Sequence, residues 1–356
     1  MAIFPFWQRK SISKALQDEE LPEDVLEQWE QFNRKAEDHE LYRVNPRYLA
    51  EKLHWSEERL LDVLSLSVAK EIWELEWDAY CPACNHVLQQ ADSMAELEQE
   101  QYCPYCQQET PIHLDEQVTP RASVVEAVRR LNPARRDDDS FRAQVDEDLG
   151  HLPALRLVNR KLFREKLGTR ALPPNHSIGV GHLAVFFSDL KASTKIYQNL
   201  GDGKAYQLVR QHFDAIFSAV EQQDGTAVKT IGDGVMGTFL DNASALRGAV
   251  NSVKAVRALN REAGLEGEER LRLKVGLHAG PCIVVTLNGR LDYFGSTVNI
   301  AARLSDLAQG DDVWLSKAVL EHPDARQVVD EINYEREDQV TLRGIAEEVD
   351  VCRLQI

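Results

Sequence analysis

The chain has 356 residues, 43% hydrophobic and 28% charged, a balance that excludes a disordered chain and predicts two or three soluble domains with their own cores. No apolar run approaches the roughly 20 residues of a membrane span. The net charge of −17 is lopsided, with 25 acidic and 10 basic side chains in residues 1–120 against 33 and 31 in residues 121–356, so the first third is unsuited to nucleic acid or anionic lipid while the remainder leaves room for a local basic pocket.

The opening segment MAIFPFWQRK carries about six apolar residues and no small-residue cleavage site, too little for a secretory signal. A cytoplasmic setting without a membrane is therefore expected. Residues 21–40 predict a charged helix with Leu26, Trp29 and Phe32 as its apolar stripe. Asn45-Pro46 opens a short helix through Leu53, and Ser56 caps another that carries Leu60, Leu61, Val63 and Leu64. EIWELEWDAY follows as a strand. Helix, turn, helix and strand make residues 1–78 winged-helix-like. DNA binding is disfavoured, because Glu57, Glu58 and Asp62 outnumber the nearby cations. A packing or partner-binding role for a protein or small-molecule regulator is the better expectation.

Residues 79–120 hold Cys81-Pro-Ala-Cys84 and Cys103-Pro-Tyr-Cys106. A gap of two lets both sulfurs of a pair reach one tetrahedral ion, so the four cysteines predict one structural Zn²⁺ in a zinc ribbon. Two disulfides are the alternative, disfavoured in a reducing compartment. Cys282 and Cys352 stand apart and are expected as small buried residues. Residues 121–181 read as a connector, with VVEAVRRL and LRLVNRKLFREKL as helices around a solvated RRDDDS run.

Residues 182–356 carry the chemistry. HLAVFFSDL is an apolar strand ending in Asp189, followed by a helix over 204–222. AVKTIG and GVMGTFL form a hairpin around Gly232-Asp233-Gly234, and a second amphipathic helix follows. In LRLKVGLH, Leu271, Leu273, Val275 and Leu277 alternate with polar residues, and PCIVVTLNG is read as another strand. The order βαββαβ predicts an α+β, ferredoxin-like domain whose helices cover one sheet face, leaving the face with Lys274 open. Asp189 and Asp233 at strand and hairpin ends suit Mg²⁺, which takes one or two carboxylates and completes its shell with water and phosphate oxygens.

The motifs FFSDLKAST, VKTIGDGVM, LKVGLHAGP, LDYFGSTVNIAARL and TLRG stand in an order and spacing that resemble the class III nucleotidyl cyclase catalytic domain, over about half of the chain. Residues 21–120 resemble, more loosely, an uncharacterised region that accompanies bacterial members of that family. The cyclase resemblance implies a homodimer with active sites across its interface. Asp189 and Asp233, with the Leu190 carbonyl, would bind two Mg²⁺ or Mn²⁺ ions. The amides of Lys191, Ala192, Ser193 and Thr194 would cradle the triphosphate. Lys229 and Asp292 would read adenine, Asn299 would orient the ribose and Arg303 would stabilise charge on the α-phosphate. Lys274 and Arg343 fall where the family places cationic triphosphate contacts.

The expected activity is adenylate cyclase, regulated by the N-terminal half. The alternatives are a catalytically silent cyclase-like scaffold or a guanylate or pyrimidine cyclase. Ala192 replaces a usual glycine of the family, tolerable at negative φ and costly at positive φ.

Overall fold

The computed structural model describes residues 11–191, 201–330, 332 and 334–356. The chain divides into two compact units, Met1–Gly179 with Val285–Leu291, and Val180–Val284 with Asp292–Ile356.

In the first unit, helices α1 (Ile12–Leu16), α2 (Glu23–Lys35), α3 (Pro46–Leu53) and α4 (Glu57–Ala69) precede strands β1 (Trp73–Tyr80), β2 (Val87–Ala91), β3 (Glu100–Cys103), β4 (Gln108–Pro111) and β5 (Val118–Val124). The expected caps are in place: the Asn45 and Ser56 side chains accept from the amides of Arg47 and Arg59. Trp29 is fully buried, stacks 5.1 Å from Trp73, and donates to Ser67 Oγ at 3.0 Å. The sheet runs β2-β1-β5, with β3 and β4 as a separate pair. One face carries Trp73, Leu75 and Trp77, the other Glu74, Glu76 and Asp78. On that polar face Arg121, 2% exposed, donates to Asp78 at 2.9 Å and to Asp146 at 3.0 Å.

The connector departs from its sequence pattern. VVEAVRRL is not a helix, because Val124 completes the β5 ladder opposite Trp73 and the Val125 amide donates to Ile72. Pairing with a distant strand overrides local periodicity here. The RRDDDS run is mostly exposed, as expected, yet Arg135 and Arg136 end α5 (Pro133–Arg136) and Asp138 caps α6 (Asp139–Leu149). LRLVNRKLFREKL splits into α7 (Ala154–Val158) and α8 (Lys161–Ala171), with Arg160 at the break donating from Nε and Nη2 to the two carboxylate oxygens of Asp62.

The second unit is built on β6 (Ser177–Leu190), α9 (Asp202–Glu221), β7 (Thr226–Ile231), β8 (Gly234–Phe239), α10 (Asn242–Glu262), β9 (Leu273–Leu287), β10 (Arg290–Phe294), α11 (Ser296–Leu307), β11 (Asp312–Ser316), α12 (Lys317–Leu320), α13 (Pro323–Asp330), β12 (Tyr334–Thr341) and β13 (Glu348–Gln355). The sheet order is β12-β13-β11-β9-β6-β8-β7, with β10 paired to β9. The four strands β9-β6-β8-β7 have the ferredoxin-like order expected from the sequence. Leu273, Val275 and Leu277 are fully buried with Ile216, Val220, Leu246 and Val253 from the two long helices. LKVGLH and PCIVVTL, read as two strands, are one: the chain stays extended through Gly280-Pro281, and the Pro281 carbonyl accepts from Thr297 Oγ1 at 2.5 Å. Cys282 and Cys352 are buried, as expected.

Two glycines set the spacing that the site requires. A Cβ on Gly234 would lie 2.2 Å from the Ser188 carbonyl, so only glycine lets β8 start against the end of β6. A Cβ on Gly276 would lie 2.3 Å from the Ala301 carbonyl and 2.2 Å from the Ser305 amide nitrogen, so α11 rests with its backbone on β9.

Candidate active site

The close approach at Gly234 brings two carboxylates to one edge of the sheet. Phe187 pairs with Met236 across β6 and β8, which sets Asp189 beside the turn that carries Asp233. Ser188 Oγ accepts from the Val235 amide at 3.1 Å and ties the two strand ends together. Asp189 forms an ion pair with Lys274, which stands on the neighbouring strand β9. One oxygen of Asp233, Oδ2, is buried and has no partner among the described residues. A buried carboxylate oxygen without a donor is costly unless a ligand satisfies it.

Sequence reading missed His212, which is fully buried on α9. Its Nε2 lies 2.9 Å from the Asp233 carbonyl, and since a carbonyl only accepts, Nε2–H donates. Burial holds the imidazole below its ordinary pKa, so it stays neutral behind the turn. In sequence it is a polar residue among apolar neighbours of an amphipathic helix, with nothing to mark which way it points.

A second cluster forms on β7 and β10. Lys229 makes an ion pair with Asp292, which is 7% exposed and also accepts from the Tyr293 amide at 2.9 Å. Helix α11 follows directly. Its face with Thr297, Ala301 and Leu304 is buried, while Asn299 and Arg303, four residues apart, are exposed together. Val298 and Ile300 on this helix are half-buried. Arg303 reaches Asp306 at 3.1 Å, a solvent-exposed pair. Arg343 is exposed, Leu190 is buried, and the exposed Lys191 donates its amide to the Arg272 carbonyl at 3.0 Å. Ala192, Ser193 and Thr194 lie outside the described residues. The predicted residues thus group as Asp189, Asp233 and Lys274, as Lys229 and Asp292, and as Asn299 and Arg303.

In the first unit the two cysteine pairs adopt the same turn. Asn85 and Gln107, each following a pair, are left-handed at φ 56°, and their amides donate to the Cys81 and Cys103 carbonyls. The four sulfurs all lie within 4.8 Å of one another, with Cys81–Cys106 at 3.4 Å and Cys84–Cys103 at 3.5 Å. Tetrahedral zinc with bonds of about 2.3 Å places its sulfurs about 3.8 Å apart, so the cage fits that ion. The four thiols share their protons: the Cys106 amide, against desolvation, helps draw Cys103 down to about 6, while the neighbouring thiols of Cys81 and Cys103 push Cys106 up to about 12.

Residues 177–353 match the family described as adenylate and guanylate cyclase catalytic domain, and residues 8–144 match a family of unknown function. The second unit is a cyclase catalytic domain. The cyclase region is 28% identical over 178 residues to an adenylate cyclase of Lachancea kluyveri, covering 45% of this chain and 10% of that protein. It is 25% identical over 216 residues to guanylate cyclase 2G of Rattus norvegicus, covering 51% of this chain and 19% of that one. The chain therefore spans less than a fifth of either relative's length. The solved adenylyl cyclase CyaB from P. aeruginosa aligns at 23% identity and a TM-score of 0.44, over 50% of this chain and 95% of that one. No helix among the described residues is long and apolar enough to cross a membrane.

Proposed function

We propose that the cyclase domain converts ATP to 3′,5′-cyclic AMP and pyrophosphate, at sites completed by two copies of the chain and regulated by the N-terminal half. The observation that carries this reading is the buried oxygen of Asp233 beside Asp189, which has no partner among the described residues. These two carboxylates suit two Mg²⁺ or Mn²⁺ ions, which when bound supply Lewis acidity toward the ribose 3′ hydroxyl and the phosphate oxygens.

The remaining work falls to this chain's side chains. Lys229 donates to an adenine ring nitrogen and Asp292 accepts from the exocyclic amine; guanine presents a carbonyl there, which a carboxylate repels. Asn299 orients the ribose so that its 3′ oxygen faces the α-phosphorus. Arg303 neutralises charge that grows on the α-phosphate as the pyrophosphate leaves. Lys274 and Arg343 hold the triphosphate. In this reading the Asp189–Lys274 cluster and the Lys229–Asp292 cluster divide the labour, each working with the opposite cluster of a second copy. Cys81, Cys84, Cys103 and Cys106 hold one structural zinc, because four protein ligands leave it no open position.

The test is to incubate the purified chain with each of the four nucleoside triphosphates and Mn²⁺ and to separate the products. Cyclic AMP from ATP is expected, and Asp233→Ala is expected to lower its rate at least about a thousandfold with an unchanged circular dichroism spectrum. Undiminished cyclic AMP formation by that variant, or no cyclic product from any nucleotide, would overturn the reading.

A further inference from the structure

The cluster at Asp189 holds two carboxylates and one ammonium, and the ammonium has already chosen its partner. Lys274 stands on β9 between Leu273 and Val275, both fully buried on the opposite face of the strand, so its stem rises on the same face as Gly276, which the sequence leaves open but which α11 covers at Gly276. Its head is bonded to Asp189. The lysine side chain is 16% exposed and the aspartate 40%, so the cation is held low and the carboxylate forms the rim. Asp233 offers a buried oxygen with no partner among the described residues. The triphosphate role of Lys274 and the metal role of Asp189 therefore exclude each other in this arrangement.

We propose that Lys274 is the counter-ion of the nucleotide-free site, occupying the cation's place on Asp189 and moving to the triphosphate only when metal and nucleotide arrive together. This rests on the cyclase reading and adds an order to it. A lysine head is a compact point charge on a flexible four-carbon stem, and a move of a few ångströms exchanges one anion for another. A divalent ion alone must displace that ammonium from Asp189 and bring further positive charge beside it. With the nucleotide present, the phosphates receive the ammonium and the penalty disappears. The free metal thus binds weakly, and metal and nucleotide bind with positive coupling.

The measurement is Mn²⁺ binding by electron paramagnetic resonance, on the full chain without nucleotide. Lys274→Met is expected to bind Mn²⁺ at least about tenfold more tightly than the native chain, a difference of about 1.4 kcal/mol. Lys274→Arg, which keeps the charge, is expected to restore weak binding and serves as the folding control. Adding a non-cyclisable ATP analogue should tighten Mn²⁺ binding strongly in the native chain and much less in Lys274→Met. Equal or weaker Mn²⁺ binding by Lys274→Met overturns this inference while leaving the cyclase reading intact. Absence of Mn²⁺ binding in every variant, even with the analogue, overturns both.

Discussion

The two units use charge in opposite ways. In the first, Arg121 is 2% exposed and finds Asp78, Asp146 and the Tyr80 hydroxyl, while Arg43 closes on Glu76 and Asp78. This network is turned inward. In the cyclase domain, Asn299, Arg303 and Arg343 face solvent, and Asp233 keeps an oxygen with no partner among the described residues. Buried charges that close on several partners fix a structure; singly paired charges near the surface, such as Asp189 with Lys274 and Arg303 with Asp306, can exchange that partner for a ligand. The same residue types thus specify the fold in one unit and await chemistry in the other.

The sharpest way to break this comparison is to remove Arg121. If its network is structural, Arg121→Met leaves buried Asp78 with Arg43 as its cation and takes the guanidinium from Asp146, and lowers stability by about 3 kcal/mol. Urea unfolding followed by the tryptophans of the first unit measures this. A loss below about 1 kcal/mol would mean that water reaches these groups and that the network is not closed.

How far the sequence reveals each unit follows from the same contrast. The cyclase core was legible because its strands alternate: Leu271, Leu273, Val275 and Leu277 were expected inward and are all buried. Its candidate residues were legible because they sit in short motifs at strand ends, and the structure brings Lys229 to Asp292 as the resemblance implies. The β5 strand was not legible. Its residues VTPRASV contain a proline and an arginine, and only Asp78 and Asp146, 43 and 25 positions away in sequence, make that arginine tolerable inside. Helix α6 was hidden for a related reason, since the acidic run read as solvated is its cap. His212 and the Lys274–Asp189 pair depend on how distant elements meet, which no local pattern encodes.

A smaller effect is expected at Arg303, where the comparison predicts activity without stability. Its pair with Asp306 is exposed on both sides, and such pairs contribute about 0–1 kcal/mol. Arg303→Ala is therefore expected to leave the melting temperature within about 2 °C while lowering kcat about a hundredfold, with KM for ATP little changed, as for a group acting mainly in the transition state. Steady-state kinetics and calorimetry on the same preparation check both halves. A loss of stability with kcat retained would place Arg303 with the structural charges instead.

The smallest effect sharpens the comparison, because it concerns a titratable group of the cyclase domain that is enclosed like those of the first unit. His278, on β9, has its Nδ1 2.6 Å from Ser316 Oγ. Burial, with a smaller contribution from the His182 charge, pushes its pKa from 6.5 down to about 4. Once the chain unfolds, the imidazole takes up a proton near pH 6.5. Between that value and about 4 the unfolded state binds more protons, so stability present above pH 6.5 is lost as the pH falls through this window. From pH 7 to pH 5 the loss is about 2 kcal/mol, and His278→Gln should remove most of it. Trp314 on β11 lies in the same unit, so its ¹⁹F resonance in fluorotryptophan-labelled protein follows the unfolding of this domain directly. An unchanged pH slope in the glutamine variant would show that the imidazole reaches water, and that membership of the catalytic unit, rather than enclosure, decides how a charge there behaves.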